Sequence, residues 1–539
     1  MNKGFHWVLG VCLVLTLQAC NDSKRDAFYR SGIIYCSESN PVNFNPQTDT
    51  SSTTADATAH QLYDRLMDFD AETGQIIPSI ASSWKVSDDG LVYTFQLKKG
   101  VTFHTTAYFT PTRTLNADDI IFSINRWRDP TNPYHNISGG RYPYFESLGL
   151  AKNIAEVNRI NSYRIEIVIK QKDSSFLANL ASDFSIILSA EYADYLLNQG
   201  TPERIDDFPI GTGPFKFQSY RKDHYIRFEK HNDYWGDTSL TSDHLIYDIT
   251  PKSSIRLAKL ITGECDAIAF PAQTELEIIR NREELALSEK PGLNVGFWAF
   301  NTKKYPFNNP KVRKALALAI DKNTLLEAVY FESATRAKTL LPNASWAFQS
   351  DAEDTAYNPV LARELLDEAG VAPGFTMSIW AMPVERAYNP NATKMAELIQ
   401  RYLSAVGIQA NIVTYDWTTF RRHLREGRHD SVLIGWSADN GDPDNFYRPL
   451  LSCSAIPSGT NRAMWCNKRY DQLIDEALQT QNTQRRKAIY EQVNRLIYDE
   501  LPLVPIAHAY RYQAYRKDLK GMVINPYGGI RFVGVTKVQ

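Results

Sequence analysis

The feature that most constrains the fold is a regular alternation of strand and helix patterns in the second half of the chain. Apolar segments at 375–381, 408–415 and 431–436 are typical of strands. A helix pattern that ends at Gly407 separates the first two strand segments. A second helix pattern, at 417–426, precedes the third strand segment. The last apolar segment lacks polar alternation, as in a strand buried on both faces. This order predicts two right-handed βαβ units on a parallel sheet, and therefore an α/β fold.

The remaining chain has strand and helix signals without this alternation. At 91–97, apolar and polar side chains alternate, which predicts a half-buried strand. Asn116, Asn309 and Asn358 stand where helix N-caps are expected, and proline follows the last two. The first half is thus typical of a mixed α+β arrangement. At 539 residues, the chain is long enough for two to four domains or lobes.

The N-terminus has the pattern of an export signal. After Lys3, the apolar stretch 7–19 has the length of a signal-peptide core and is too short to span a bilayer. It ends in Leu-Gln-Ala before Cys20, which resembles a lipoprotein cleavage site. We expect a lipoprotein-type signal peptide over 1–20 and lipidation of Cys20. The alternative is ordinary cleavage and release into the periplasm.

Four further cysteines agree with export. Cys36, Cys265, Cys453 and Cys466 allow three pairings. The last two are close in sequence and enclose a turn-rich loop, so we predict a Cys453–Cys466 disulfide, which leaves Cys36–Cys265. A metal site is the competing interpretation, but no CxxC pair and no neighbouring histidine pair supports it.

Charge and motifs argue against several functional classes. The net charge of −2 does not favour a nucleic-acid-binding protein. The HExxH motif of zinc hydrolases, the GxSxG motif of serine hydrolases and the lysine motif of phosphate-binding loops are absent from the sequence, so a hydrolytic enzyme is the less favoured alternative. The acidic segment 439–444 lacks the residue order of an EF-hand. We therefore expect neither enzymatic activity nor a cofactor or metal.

Two oppositely charged residues follow strands of the predicted parallel sheet. Arg386 follows the strand at 375–381, and Asp439 follows the strand at 431–436. Ligands of open parallel sheets bind beyond the carboxyl ends of the strands. An arginine can hold a carboxylate and an aspartate can hold an ammonium group, so the pair suits a zwitterion. The alternatives are an internal salt bridge and two solvated charges.

The chain resembles, along its whole length and in order, one family of transport receptors. The resemblance is carried by seven segments: YCSESNPVNFNPQ (35–47), ASSWKVSDDGLVYTFQLKKGVTFH (81–104), LNADDIIFS (115–123), PIGTGPFKF (209–217), PGLNVGF (291–297), WAMPVERAYNPN (380–391) and GWSADNGDPDNF (435–446). The chain is identified as a member of the oligopeptide-binding family (family 5) of ABC-transporter solute-binding proteins. It is most similar to the dipeptide-binding and Sap-type branches.

The resemblance implies a two-lobed periplasmic binding protein with a hinge. It implies lobe I at 31–75, 205–290 and 508–539, a subdomain inserted into lobe I at 76–204, and lobe II at 291–507. The implied ligand-binding residues are Arg386 for the ligand carboxylate, Asp439 for its α-amine, and Tyr388, Trp436 and Asn440 around them. Trp298 and Phe300 are expected on the cleft side of lobe II.

The resemblance also implies the partners. The expected ligand is a short, dipeptide-like peptide, delivered to ABC-transporter permease subunits in the inner membrane. The expected receptor is monomeric, periplasmic and held to the envelope by a lipid on Cys20, and it binds no nucleic acid. The alternative implied by the Sap-type branch is binding of cationic antimicrobial peptides or haem.

Overall fold

The computed structural model describes residues 32–70, 73–525, 527 and 529–538. The predicted signal peptide and Cys20 lie outside these residues. Within the described part of the chain, no helix combines the length and the apolar character needed to cross a membrane.

The strands are named in chain order. They are β1 (Gly32–Ser37), β2 (Met67–Phe69), β3 (Ile76–Pro78), β4 (Ala81–Val86), β5 (Val92–Leu97), β6 (Ile154–Asn161), β7 (Arg164–Ile169), β8 (Phe215–Arg221), β9 (Tyr225–Lys230), β10 (His244–Ile249), β11 (Ala267–Ile268), β12 (Leu285–Pro291), β13 (Asn294–Phe300), β14 (Ala334–Arg336), β15 (Thr376–Ala381), β16 (Gln409–Val413), β17 (Ser431–Ser437), β18 (Leu503–Arg516), β19 (Leu519–Lys520) and β20 (Thr536–Lys537).

The α-helices are named in the same way. They are α1 (Ser52–Thr58), α2 (Ala117–Arg128), α3 (Pro143–Ser147), α4 (Leu150–Asn153), α5 (Phe176–Ala181), α6 (Ala190–Asn198), α7 (Ser253–Thr262), α8 (Leu276–Arg280), α9 (Pro310–Leu318), α10 (Lys322–Tyr330), α11 (Pro359–Glu368), α12 (Ala392–Ala405), α13 (Trp417–Arg425), α14 (Asp444–Leu451), α15 (Ala455–Ser458), α16 (Lys468–Gln479) and α17 (Thr483–Glu500). Short 3₁₀ helices lie at Ile137–Gly139, Pro202–Asp206 and Gln273–Glu275.

One large sheet joins the two predicted lobes. Its main path runs in the order β16, β15, β17, β13, β18, β11, β1, β10, β9 and β8, with β12 and β14 also paired to β18. The long strand β18 pairs with β13 near its start and with β11 and β12 towards its end. It therefore links the lobe II strands to the lobe I strands.

The structure contains the predicted βαβ units. β15 pairs in parallel with β16 on one side and with β17 on the other, so the strand order is β16, β15, β17. Helix α12 follows β15 and buries Met395, Ile399 and Leu403. This helix binds the sheet through one apolar face, as its spacing predicts.

The predicted inserted region, 76–204, contains a separate four-stranded sheet in the order β4, β5, β7, β6. In β5, Tyr93, Phe95 and Leu97 are buried and alternate with less buried residues, as predicted. Asn116 caps α2 through a reciprocal capping box with Asp119, which satisfies backbone N–H groups at the start of the helix.

Both predicted disulfides are present. Cys453 and Cys466 are 13 residues apart, and Cys36 and Cys265 are 229 residues apart. Because Cys36 lies in β1, the longer bridge holds the carboxyl end of that strand to the segment before β11.

A candidate ligand site between the lobes

Arg386 and Asp439 line one cavity between the predicted lobes. Each follows a strand of the parallel βαβ units, and the two strands, β15 and β17, are direct neighbours. The cavity has a volume of about 80 Å³. Its lining residues are Pro46, Asp49, Thr50, Ser51, Ser52, Ala55, Tyr144, Asp183, Phe184, Arg386, Tyr388, Trp417, Gly435, Trp436, Ser437, Asp439, Tyr527 and Gly529.

The carboxyl group of Asp439 is buried and only partly satisfied. Its Oδ1 accepts a hydrogen bond from the hydroxyl of Tyr144 at 3.2 Å. Its Oδ2 is buried and has no hydrogen-bond partner among the described residues. Burial, together with the negative charge of Asp183, holds the pKa of Asp439 well above its usual value. A cation with hydrogen-bond donors next to Oδ2 would satisfy this oxygen and counteract the rise in pKa.

The guanidinium of Arg386 is held by groups from both predicted lobes. Its Nη1 donates to Oε1 of Glu38 at 2.8 Å and to the backbone carbonyl of Glu385 at 2.9 Å. Its Nη2 donates to Oγ1 of Thr53 at 3.2 Å. The side chain is 3% exposed, so the arginine is fixed in place at the cavity wall. A ligand carboxylate would share this cation with Glu38.

Aromatic rings form much of the remaining wall. The Arg386 guanidinium lies 5.6 Å from the ring centroid of Trp417. Tyr144 and Trp436 meet edge to face with their centroids 5.7 Å apart. A Cβ atom on Gly435 would lie 2.2 Å from the ring of Tyr388, so this strand position must be glycine for the ring to pack there.

Two sequence expectations differ from the structure. Asn440 is outside the cavity lining; its Nδ2 donates to Asn179 and Ser182 of the inserted region at 3.2 and 3.1 Å. The expectation that Trp298 and Phe300 face the cleft is wrong. Both are fully buried in β13, because the sheet covers that strand with β17 and β18 on its two edges and apolar packing on its faces.

Several residues at the site were not predicted from the sequence. Tyr144 and Asp183 come from the inserted region, and Trp417 opens α13. No local pattern indicates that these residues reach the cavity. Glu38 could have been found, since it directly follows β1, a parallel strand, and the rule that placed Arg386 and Asp439 applies there too.

Direct contacts close the cavity between the lobes. Arg256 of predicted lobe I forms an ion pair with Glu385 of predicted lobe II at 3.1 Å. Arg421 of α13 forms an ion pair with Asp49 and donates to Oγ1 of Thr50 at 3.0 Å. Together with Arg386 and Glu38, these contacts describe a conformation in which the lobes meet around the site.

The acidic segment after β17 serves structural ion pairs. Asp442 binds Arg486 at 2.9 Å, and Asp444 binds Arg448 at 2.9 Å. Among the described residues, no group of three or more histidine, cysteine, aspartate or glutamate side chains is arranged to hold a metal ion.

Comparison with known proteins places this architecture in one family. The family model described as bacterial extracellular solute-binding proteins, family 5, middle part, matches residues 75–458. The dipeptide-binding protein of Escherichia coli K12 is 44% identical over 529 residues, which cover 98% of this chain and 97% of that protein. The peptide transport periplasmic protein SapA of Salmonella typhimurium is 42% identical over 507 residues, covering 94% and 92%.

A solved structure shares the fold throughout. The dipeptide-binding protein of Pseudoalteromonas sp. SM9913, in complex with Met-Leu, superposes with a TM-score of 0.92 at 47% identity. The match covers 94% of this chain and all of that one. The two-lobed α/β fold and the match over most of the chain agree, and the chain therefore belongs to the bacterial extracellular solute-binding proteins of family 5.

Proposed function

We propose that this protein is the receptor of an ABC importer and captures short peptides by holding both of their ends. The observation that carries the proposal concerns Asp439: its buried Oδ2, which has no hydrogen-bond partner among the described residues, shares one cavity with the fixed guanidinium of Arg386. The α-amine of a peptide supplies the cation that Asp439 lacks. The peptide carboxylate supplies an anion for Arg386.

Two fixed anchors in one cavity, Arg386 and Asp439, select the length of the ligand. Each extended residue adds about 3.3–3.6 Å to a peptide. A third residue would lengthen the separation between the terminal charges by about this amount, which two anchors at a fixed separation do not accommodate. Dipeptides are therefore the preferred length. Recognition through the termini leaves the side chains to secondary contacts with Tyr388, Trp417 and Trp436.

Ligand binding stabilises the closed conformation. The termini of the peptide bind residues of lobe II, while Tyr144, Asp183 and Thr53 approach from the other side of the cavity. The ligand and the ion pairs between the lobes thus both stabilise the closed state of a hinge between the lobes. The closed receptor then docks on permease subunits in the inner membrane and releases the peptide, a process that requires no bond chemistry.

The proposal also covers the localisation of the protein in the cell envelope. The receptor is monomeric and periplasmic, and its mature chain begins at Cys20, which carries the lipid anchor. Intact-mass spectrometry of the protein from membrane fractions tests the anchor: a mass above that of the chain 20–539 by a lipid adduct supports it, and an unmodified cleaved chain overturns it.

The binding proposal is tested by isothermal titration calorimetry. The mature protein is unfolded, washed and refolded to remove bound ligand, then titrated with Ala-Leu, Ala-Leu-amide and Ala-Leu-Ala. We expect tight binding of Ala-Leu, strong loss on amidation and weaker binding of the tripeptide. If none of the three binds while haem or a long cationic peptide does, the two-ended capture of short peptides is wrong.

A further inference from the structure

A second carboxylate, that of Asp183, lines the cavity at the end where Asp439 lies. Asp183 belongs to the predicted inserted region, whereas Asp439 belongs to predicted lobe II, and both are cavity residues. The hydroxyl of Ser182, the residue before Asp183, donates to the backbone carbonyl of Asp439 at 3.5 Å. The segment that carries Asp183 therefore contacts the loop that carries Asp439.

The residue after Asp183 is connected to the same loop through Tyr144. The ring of Phe184 stacks on the ring of Tyr144, with the centroids 4.5 Å apart and the planes inclined by 17°. The hydroxyl of Tyr144 donates to Oδ1 of Asp439 at 3.2 Å. Contacts on both sides of Asp183 in the sequence thus fix it at this end of the cavity.

His60 and Arg65 determine the orientation of the Asp183 carboxylate. Nε2 of His60 lies 2.9 Å from Oδ1 of Asp183, and Nη1 of Arg65 lies 3.8 Å from the same oxygen. The other oxygen, Oδ2, lies beside the cavity residue Gly529, where a Cβ atom would be only 3.2 Å away. Gly529 has no side chain to cover Oδ2, and the Asp183 side chain is 18% exposed at the cavity wall. Oδ2 is therefore the oxygen that a ligand can reach.

The two carboxyl groups at this end differ in their charge state. Burial raises the pKa of both groups. At Asp183, basic neighbours outweigh burial and hold the pKa below its usual value; they are His60, Arg65 and Arg531. Asp183 is therefore ionised at neutral pH, while the pKa of Asp439 stays well above its usual value. A cation between the two groups is attracted by Asp183 and favours the ionisation of Asp439.

We propose that Asp183 is a second binding residue for the α-amine of the peptide, which bridges Oδ2 of Asp183 and Oδ2 of Asp439 across the cleft. The inference rests on the proposed function, because it assumes that Asp439 holds this amine. An ammonium group has three N–H donors, so it can donate to both carboxylates at once. The bound amine then joins the predicted inserted region to predicted lobe II by charge-assisted hydrogen bonds.

The test is a thermodynamic cycle on Asp183 and the ligand amine. Ala-Leu and propionyl-leucine, which lacks the amine, are titrated into the refolded native protein and into Asp183→Asn. We expect the substitution to lower the affinity for Ala-Leu by about tenfold and to leave the affinity for propionyl-leucine unchanged. Loss of affinity by the same factor for both ligands, or unchanged affinity for Ala-Leu, overturns the inference.

Asp68→Asn is the matched control. Asp68 accepts a hydrogen bond of 2.9 Å from Nη2 of Arg65, the arginine next to Asp183, but it lies outside the cavity lining. This variant should keep the native affinity for both ligands. Equal losses of Ala-Leu affinity in Asp68→Asn and Asp183→Asn would assign the effect to Arg65 and contradict a direct contact between Asp183 and the amine.

Asp183→Ser provides a second variant if Asp183→Asn does not fold. The serine side chain is neutral and shorter, so it should cause the same selective loss of Ala-Leu affinity. Binding of Ala-Leu that depends on Asp439 but not on Asp183 overturns this inference alone. Failure of Ala-Leu to bind the native protein overturns the proposed function instead.

Discussion

Arg386 donates a hydrogen bond of 2.8 Å to Glu38, a residue 348 positions earlier in the chain. Each side chain is 3% exposed, so the ion pair spans the two predicted lobes in a nearly dry environment. Glu38 occupies a place on Arg386 that a peptide carboxylate would share. Glu38 thus fixes the orientation of the Arg386 guanidinium and also competes with the ligand carboxylate for it.

This competition predicts the effect of Glu38→Gln. The amide retains an acceptor oxygen for Arg386 but removes the negative charge, so the cation is left to the ligand carboxylate. We expect affinity for Ala-Leu to rise by about tenfold, a gain of about 1.4 kcal/mol. Affinity for Ala-Leu-amide should stay unchanged in the same titrations. Weaker binding of Ala-Leu would show that the charge of Glu38 is needed mainly to orient Arg386.

The ion pair between Arg256 and Glu385 predicts a kinetic effect. Arg256 also donates to backbone carbonyls of its own lobe, so it stays in place in Glu385→Gln. Glu385 is 39% exposed, and solvent screening limits the pair to about 0.5–1 kcal/mol. We expect peptide dissociation, followed by stopped-flow fluorescence, to be two to five times faster, with association nearly unchanged.

The exposed pair of Arg280 and Glu289, which joins residues of lobe I only, provides the control for this experiment. Glu289→Gln should leave both rates unchanged. Equal effects of Glu289→Gln and Glu385→Gln would mean that the Arg256 contact has no part in closure.

Asp56 predicts a pH dependence of stability. Burial, and then the charge of Glu38, raises its pKa to about 7 from a usual value of 3.8. Since the folded state binds this proton more strongly than the unfolded state, the stabilisation is full below about pH 4 and is lost as the pH rises towards 7. Asp56→Asn has no ionisable group at this position and does not lose stability in this way. At pH 8, its free energy of unfolding should exceed that of the native protein by on the order of 2–4 kcal/mol.

Thermal unfolding of Asp56→Asn and the native protein at pH 4.5 and pH 8 measures this effect. The difference in Tm should be small at the lower pH and larger at the higher one. A difference that is independent of pH would show that Asp56 ionises normally in the folded protein.

The two disulfides should contribute unequally to the free energy of unfolding. In the chain-entropy picture, the 13-residue separation of Cys453 and Cys466 corresponds to about 3 kcal/mol. The 229-residue separation of Cys36 and Cys265 corresponds to about 5 kcal/mol. Paired Cys→Ser variants unfolded in urea should follow this order. The reverse order of stability would contradict this account.

The parts of the fold that local sequence patterns indicate could be predicted. Strand, helix and strand alternation around α12 and α13 predicted the parallel units, and Asn116 predicted the start of α2. The strand order of the large sheet could not be predicted. β18 pairs with strands from distant parts of the chain, and pairing between distant strands leaves no local pattern in the sequence. At the site, Arg386 and Asp439 followed from the strand-end rule. Tyr144 and Asp183 could not be predicted from that rule, because they line the cavity through the packing of the predicted inserted region against predicted lobe II.

The most direct test of two-ended capture is a thermodynamic cycle on Asp439 and the ligand amine. Ala-Leu and its des-amino analogue, propionyl-leucine, are titrated into the refolded native protein and into Asp439→Asn. If Asp439 holds the α-amine, the substitution lowers Ala-Leu affinity by about 30-fold or more and leaves propionyl-leucine affinity nearly unchanged. If both ligands lose affinity by the same factor, Asp439 does not contact the amine, and the central claim is wrong.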